Sequence, residues 1–285
     1  MSHSNGFTLI ELLIAVVLGT FITLVLGELF IEHQQSFKFQ QALMQASHNG
    51  ILASNLLQTM TENAGFTGCL SLKNLVIDNH VNGLVILPAK ILSTGSMHKK
   101  WTHQPLATSS LLQLNYMSPD TDLLSKAMLS AHYLTVEQHV KLKAGDIVMI
   151  ADCTHADLFQ VDKVYQKKDT QVLYTRSTLS AYRKGAEVGL WQAPILYIAN
   201  TTRLDRLGKP IPALYWHTIS GRDEELIEGI SQFHVSLDTS TQAEKLAFNL
   251  ETMSIDTVGH VPKSQSLAVH PYHVSQHWQF LDYVG

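Results

Sequence analysis

GFTLIELLIAVVLGTFITLVLGELF, residues Gly6 to Phe30, is the stretch from which the architecture follows. From Phe7 to Gly27 its single charge is Glu11. At helical rise that run spans roughly 30 Å, the thickness of a bilayer hydrocarbon core. A secretory signal peptide has a shorter apolar core followed by a small-residue cleavage site. Here only MSHSNG, residues 1–6, precedes the run, and no such site follows it. The plain reading is a membrane anchor.

Glu11 asks for more than an anchor. A carboxylate inside a membrane helix costs several kcal/mol unless it is partnered or neutralised, so it marks a function. If the chain were cut between Gly6 and Phe7, the new amino group of Phe7 would lie one helical turn from Glu11. That amine could compensate the carboxylate within one subunit or from a neighbour. Pairing with a neighbour would set the axial register of an assembly.

Beyond Glu28 and Glu32 the chain becomes polar with an apolar stripe. Met44, Leu52, Leu56 and Met60 fall at steps of four or eight, which favours one face of an amphipathic helix. No proline occurs before Pro88. The pattern predicts one helix over 7–63, membrane-spanning to about Gly27, with its second half packed on a globular part. Gly19, Gly27 and Gly50 lower helix propensity without ending the helix. The helix is expected to stop at AGFTGC, residues 64–69, where Gly65 suits a left-handed cap and Gly68 a tight turn.

The remainder, 64–285, reads as β-rich. Strand candidates are 84–87, 111–116, 146–151, 158–165, 171–176, 195–199, 213–217, 230–237 and 273–280. Turn signals are Ser118-Pro119-Asp120, Arg206 to Pro210, Ser220-Gly221-Arg222 and, more weakly, Lys143-Ala144-Gly145. The stretch 70–130 is the hardest to read and is expected to hold long loops. A long N-terminal helix followed by many strands implies an α+β fold, with the helix covering an antiparallel sheet.

Composition removes several classes. Net charge is −4, so no global attraction to nucleic acid or anionic lipid exists. Two cysteines are too few for a disulfide scaffold or a four-thiolate zinc site. No glycine-rich phosphate loop, CxxC or HExxH is present. Neither a cofactor nor a resident metal is expected, and no catalytic cluster stands out.

Gly6-Phe7-Thr8-Leu9-Ile10-Glu11 resembles the class III signal of type IV prepilins and pseudopilins. The resemblance implies a leader, 1–6, cut after Gly6 by a prepilin peptidase, N-methylation of Phe7, and Glu11 as the assembly carboxylate. Such processing leaves the globular part in the oxidising periplasm, where Cys69 and Cys153 are expected to pair. That bond would close a loop of roughly 85 residues, worth about 4 kcal/mol in the chain-entropy model. The alternative is two free buried thiols.

AGFTGC, Asn49-Gly50, GDIVMIADCTHADLFQV at 145–161 and EELIEGISQFHV at 224–235 narrow the likeness to PilW-type minor pilins. This implies a low-abundance subunit that helps initiate type IV pilus assembly and sits at or near the fibre tip. Its partners would be other minor pilins, the major pilin, the prepilin peptidase and an inner-membrane assembly platform. The pilus could serve adhesion, twitching motility or DNA uptake. One alternative is a pseudopilin of a type II secretion system, which shares the leader and helix. Another is a membrane-anchored periplasmic enzyme or binding protein, which would need a catalytic cluster.

Three further groups have plain readings. His270, His273 and His277 could bind a metal, but on a strand only His273 and His277 share a face. Surface histidines are the simpler account. MHKKW, residues 97–101, could touch a single-stranded nucleic acid, but a solvated loop fits a net acidic chain better. Asp223-Glu224-Glu225 reads as a charged turn.

Overall fold

The computed structural model describes residues 9–69, 72, 75–84, 86–92, 101–205, 208–238, 245–253 and 276–283. A continuous helix α1 occupies Leu9–Asn63. Its first half is exposed and is long and apolar enough to cross a membrane. In the second half the buried residues are Ala42, Ala46, Asn49, Gly50, Ala53, Leu57, Met60 and Thr61. They recur at steps of one, three and four and form one stripe.

This stripe is not the expected one. Met44 is 72 % exposed and Leu52 43 % exposed, and only Met60 belongs to the buried set. The physical reason is size. Alanine and glycine let the helix axis approach the sheet closely, and Leu57 and Met60 fill the remaining space near the helix end.

The strands are β1 Val76–Asn79, β2 Ala89–Leu92, β3 Leu111–Leu114, β4 Tyr116–Leu123, β5 Tyr133–Glu137, β6 Ile147–Ala151, β7 His155–Gln160 and β8 Lys163–Gln166. They continue with β9 Thr170–Tyr174, β10 Glu187–Gln192, β11 Ile195–Leu204, β12 Pro210–His217, β13 Asp223–Glu228, β14 Ile230–Asp238, β15 Lys245–Thr252 and β16 Gln276–Tyr283. The fold is α+β, and every pairing between these strands is antiparallel except β1 with β7.

Two lobes result. In the first, sheet β13-β12-β11-β3-β2 faces sheet β14-β15-β16, with α1 laid along β13, β15 and β16. Period-two alternation sends Leu112, Leu114, Leu196, Ile198 and Leu214 into the shared core with Phe233, Phe248, Ala53 and Leu57. In the second, sheet β1-β7-β6-β10-β4 is covered on one side by the three-stranded sheet β5-β9-β8. Val148, Ile150, Phe159 and Val188 meet Leu134, Val136 and Leu173 there.

Several expected elements change. Of the candidate 84–87, the described residues lie outside any strand, and β1 and β2 flank it. The candidate 158–165 is two strands, β7 and β8, turning at 161–162. Ser118-Pro119-Asp120 is no turn but lies inside β4, at the edge of its sheet and opposite a register shift in β10. A proline without an N–H is tolerated at such a bulged edge. Asp223-Glu224-Glu225 is the start of edge strand β13, not a charged turn. Its acids face cross-strand partners: Asp223 meets His217, Glu224 meets Trp216 Nε1 at 2.8 Å, and Glu225 meets Tyr215 and Arg203. Charged side chains on an edge also discourage further strand addition.

Candidate functional site

The helix and its exit form the site. Leu9 to Phe30 expose an almost uninterrupted apolar surface. Its two threonines satisfy their hydroxyls internally: Thr20 Oγ1 donates to Val17 O at 2.9 Å, and Thr23 Oγ1 to Gly19 O at 2.5 Å. Such back-bonding suits a segment surrounded by lipid, which offers no partner. Glu11, in the first described turn, is exposed on this surface. Gly6 and Phe7 lie outside the described residues.

Beyond the apolar half, Phe37, Met44 and Ile51 recur at seven-residue steps, at 66 %, 72 % and 46 % exposure. At about 100° per residue they fall roughly opposite the stripe that packs on the sheets. The helix therefore has two apolar faces in this region, one used by its own domain and one left outward.

The exit from the helix is tightly fixed. Gly65 takes φ 83° and Gly68 φ 96°, conformations that favour glycine. A Cβ on Gly65 would stand 3.2 Å from the Pro88 ring. Gly65 N donates to Asn115 O at 2.8 Å, and Met117 N to Phe66 O at 2.7 Å. Cys69 and Cys153 are joined, with Cα atoms 5.2 Å apart. The bond ties the helix exit to the turn between β6 and β7, in the second lobe. Higher up, Asn49 Nδ2 donates to Glu228 O at 2.9 Å and pins the helix to β13.

Trp101, the described residue of the 97–101 motif, is packed rather than free. It stacks on His217 with ring centroids 4.3 Å apart, and lies 4.8 Å from Tyr197. Asp223 holds this cluster together. Its Oδ1 is 2.6 Å from His217 Nδ1, and its Oδ2 accepts from Thr102 N at 2.8 Å and His103 N at 3.2 Å. Burial pushes the Asp223 carboxyl up, but the bonds from His217 and His103 outweigh it and hold the group below the usual carboxylate range. A depressed folded pKa stabilises the fold above about pH 4 and ceases to do so as pH falls through it. Asp223→Ala should therefore cost about 2 kcal/mol near neutral pH, from lost bonds to a charged acceptor. The gap between wild type and variant, read by thermal melting from pH 7 to 3, should close at the acid end. A gap that stays constant over that range would refute this role.

Two more carboxylates went unnoticed in the sequence because nothing marks them there. Asp157, 1 % exposed, meets His80 Nε2 and Tyr182 Oη at 2.7 Å each and Ser180 N at 3.0 Å. Asp122, fully buried, accepts from His139 N at 2.8 Å and Gln171 Nε2 at 3.0 Å. Both are engaged in holding loops, the structural use of a buried acid. Among the described residues, no group of three or more His, Cys, Asp or Glu is placed to hold a metal. His270 and His273 lie outside the described residues, and of His277 only the backbone, in β16, is described.

Residues 1–27 match the model of the prokaryotic N-terminal methylation motif, the leader found on type IV pilin-like proteins and pseudopilins. No curated protein and no solved structure matches the chain.

Proposed function

We propose that this chain is a minor pilin of the PilW type, which takes part in initiating type IV pilus assembly and is incorporated at or near the fibre tip. The carrying observation is that the methylation motif, residues 1–27, runs into one continuous helix, Leu9–Asn63. That helix has an exposed apolar first half, and in its second half an outward stripe, Phe37, Met44 and Ile51. The first half holds the subunit in the inner membrane and later exchanges lipid for neighbouring helices. The second half, bonded to its own domain on one side, offers the other side to those neighbours.

On this reading a prepilin peptidase cuts between Gly6 and Phe7 and methylates Phe7. The globular part stands in the periplasm, a compartment in which the Cys69–Cys153 bond persists. Other minor pilins, the major pilin and an inner-membrane platform are its partners, and its role is structural rather than enzymatic. A pseudopilin of a type II secretion system shares the motif and the helix; recovery of the chain from sheared surface fibres would separate the two.

The test is intact mass and N-terminal sequencing of the membrane-extracted protein, made alongside its prepilin peptidase. The expected mature chain starts at N-methyl Phe7, and Gly6→Ala should leave most of the protein unprocessed. A chain that keeps residues 1–6 would return the helix to a plain anchor.

A further inference from the structure

The outer face of sheet β5-β9-β8 carries three tyrosines, Tyr133, Tyr165 and Tyr174. Strand register puts Tyr133 opposite Tyr174, which is opposite Lys163, and Thr135 opposite Val172, which is opposite Tyr165. Alternation sends the intervening Leu134, Val136 and Leu173 inward, each fully buried. The tyrosines thus stand on a rigid floor. Tyr133 and Tyr165 are each 49 % exposed, and the rings of Tyr133 and Tyr174 lie 5.0 Å apart. Cross-strand pairing explains that contact. It does not explain Tyr165, which has no ring contact among the described residues.

We propose that this face is a binding platform for an uncharged polysaccharide. A pyranose ring is amphipathic, with C–H groups on its faces and hydroxyls at its rim. Tyrosine matches both, offering a flat apolar ring and a polar tip at a low cost in side-chain entropy. Thr135 adds a hydroxyl on the same face. Charge selects the ligand class. Lys163 and Glu137 are the charged residues of this face, and they leave it without net charge. The hairpin tip beyond it carries Lys167, Lys168 and Asp169. A single-stranded nucleic acid needs a cationic groove along its phosphates, and this surface does not supply one.

Position supports the proposal. The main contacts of α1 are with β13, β15 and β16, in the other lobe. Within the chain the helix leaves the β5-β9-β8 face uncovered. The inference itself does not depend on any assembly, since the platform is formed within one chain.

The experiment uses the full chain in detergent micelles against an array of neutral glycans, with cellohexaose and chitohexaose titrated in solution by calorimetry. A single-stranded oligonucleotide and the oligomeric state are followed in parallel. Binding of at least one neutral glycan is expected, with a loss of roughly tenfold in affinity for Tyr165→Ala and for Tyr133→Ala. Tyr165→Phe should retain most of the affinity, because the ring face remains. Tyr165 stacks on no other ring, so its variants should fold normally, and unchanged melting checks this. The proposal is overturned if no neutral glycan binds, if binding survives Tyr133→Ala and Tyr165→Ala combined, or if only the oligonucleotide or a second copy occupies the face. Leader processing is read separately by mass, so failure here and failure of the pilin reading are distinct results.

Discussion

Cys69→Ser or Cys153→Ser is expected to lower the melting midpoint of the full chain by roughly 10 °C. The two residues are 84 positions apart, and closing a loop of that size removes entropy from the unfolded chain worth about 4 kcal/mol. For a domain of this size each kcal/mol moves the midpoint by about 2–4 °C. The effect should act mainly through the unfolded state. The helix exit keeps its other fixings, the bonds from Gly65 to Asn115 and between Phe66 and Met117, so the folded structure survives without the sulfurs. Melting with and without reductant checks the account. Reductant should lower the wild-type midpoint to that of the variants and leave the variants unmoved. Equal midpoints for oxidised wild type and both variants would show that the bond contributes nothing.

The long helix was legible because membrane span, missing prolines and the Gly65 cap all agree, and the end at Asn63 is where the glycines predict it. Its packing face was not, because large apolar residues mark a face in the sequence, whereas this one is built largely from alanine and other small residues. Strands with Val, Ile and Leu between turn residues were legible, as at 147–151 and over the first half of 195–204. Among the strands that no candidate covered, three hid for separate reasons. β10 contains Gly189, which reads as a breaker; here a Cβ would come within 2.7 Å of Met117, so glycine serves a close approach. β13 is acidic because it is an edge. β5 is short, and its alternation of Leu134 and Val136 is diluted by polar neighbours. The pairing of Cys69 with Cys153 could be expected in the sequence only through the leader resemblance, which implies an oxidising compartment. The buried acids Asp122, Asp157 and Asp223 were not, since hydrogen bonds between distant segments leave no local pattern.

Glu11→Ala is expected to leave membrane insertion and leader cleavage intact while removing the chain from assembled fibres. Removing a carboxylate from the apolar surface eases insertion by about 2.5–3.5 kcal/mol at most, so the anchor is not weakened. On the proposed reading cleavage depends on the residues around Gly6 and Phe7, which the substitution spares. Assembly differs. On the proposed pilin reading, neighbouring helices bury Glu11 when they replace lipid, and the processed amine of an adjacent subunit's Phe7 is its expected partner. Breaking a buried pair by removing one partner costs about 3–5 kcal/mol, more than a hundredfold in an association constant. Glu11→Asp should recover part of the loss, because it keeps the charge on a shorter arm, whereas Glu11→Gln should not. The readout is the ratio of the chain in sheared surface fibres to that in the inner membrane, by immunoblot, beside N-terminal sequencing of the membrane pool. Incorporation of Glu11→Ala at the wild-type ratio would remove Glu11 from assembly and leave the outward stripe of Phe37, Met44 and Ile51 to set the stagger alone.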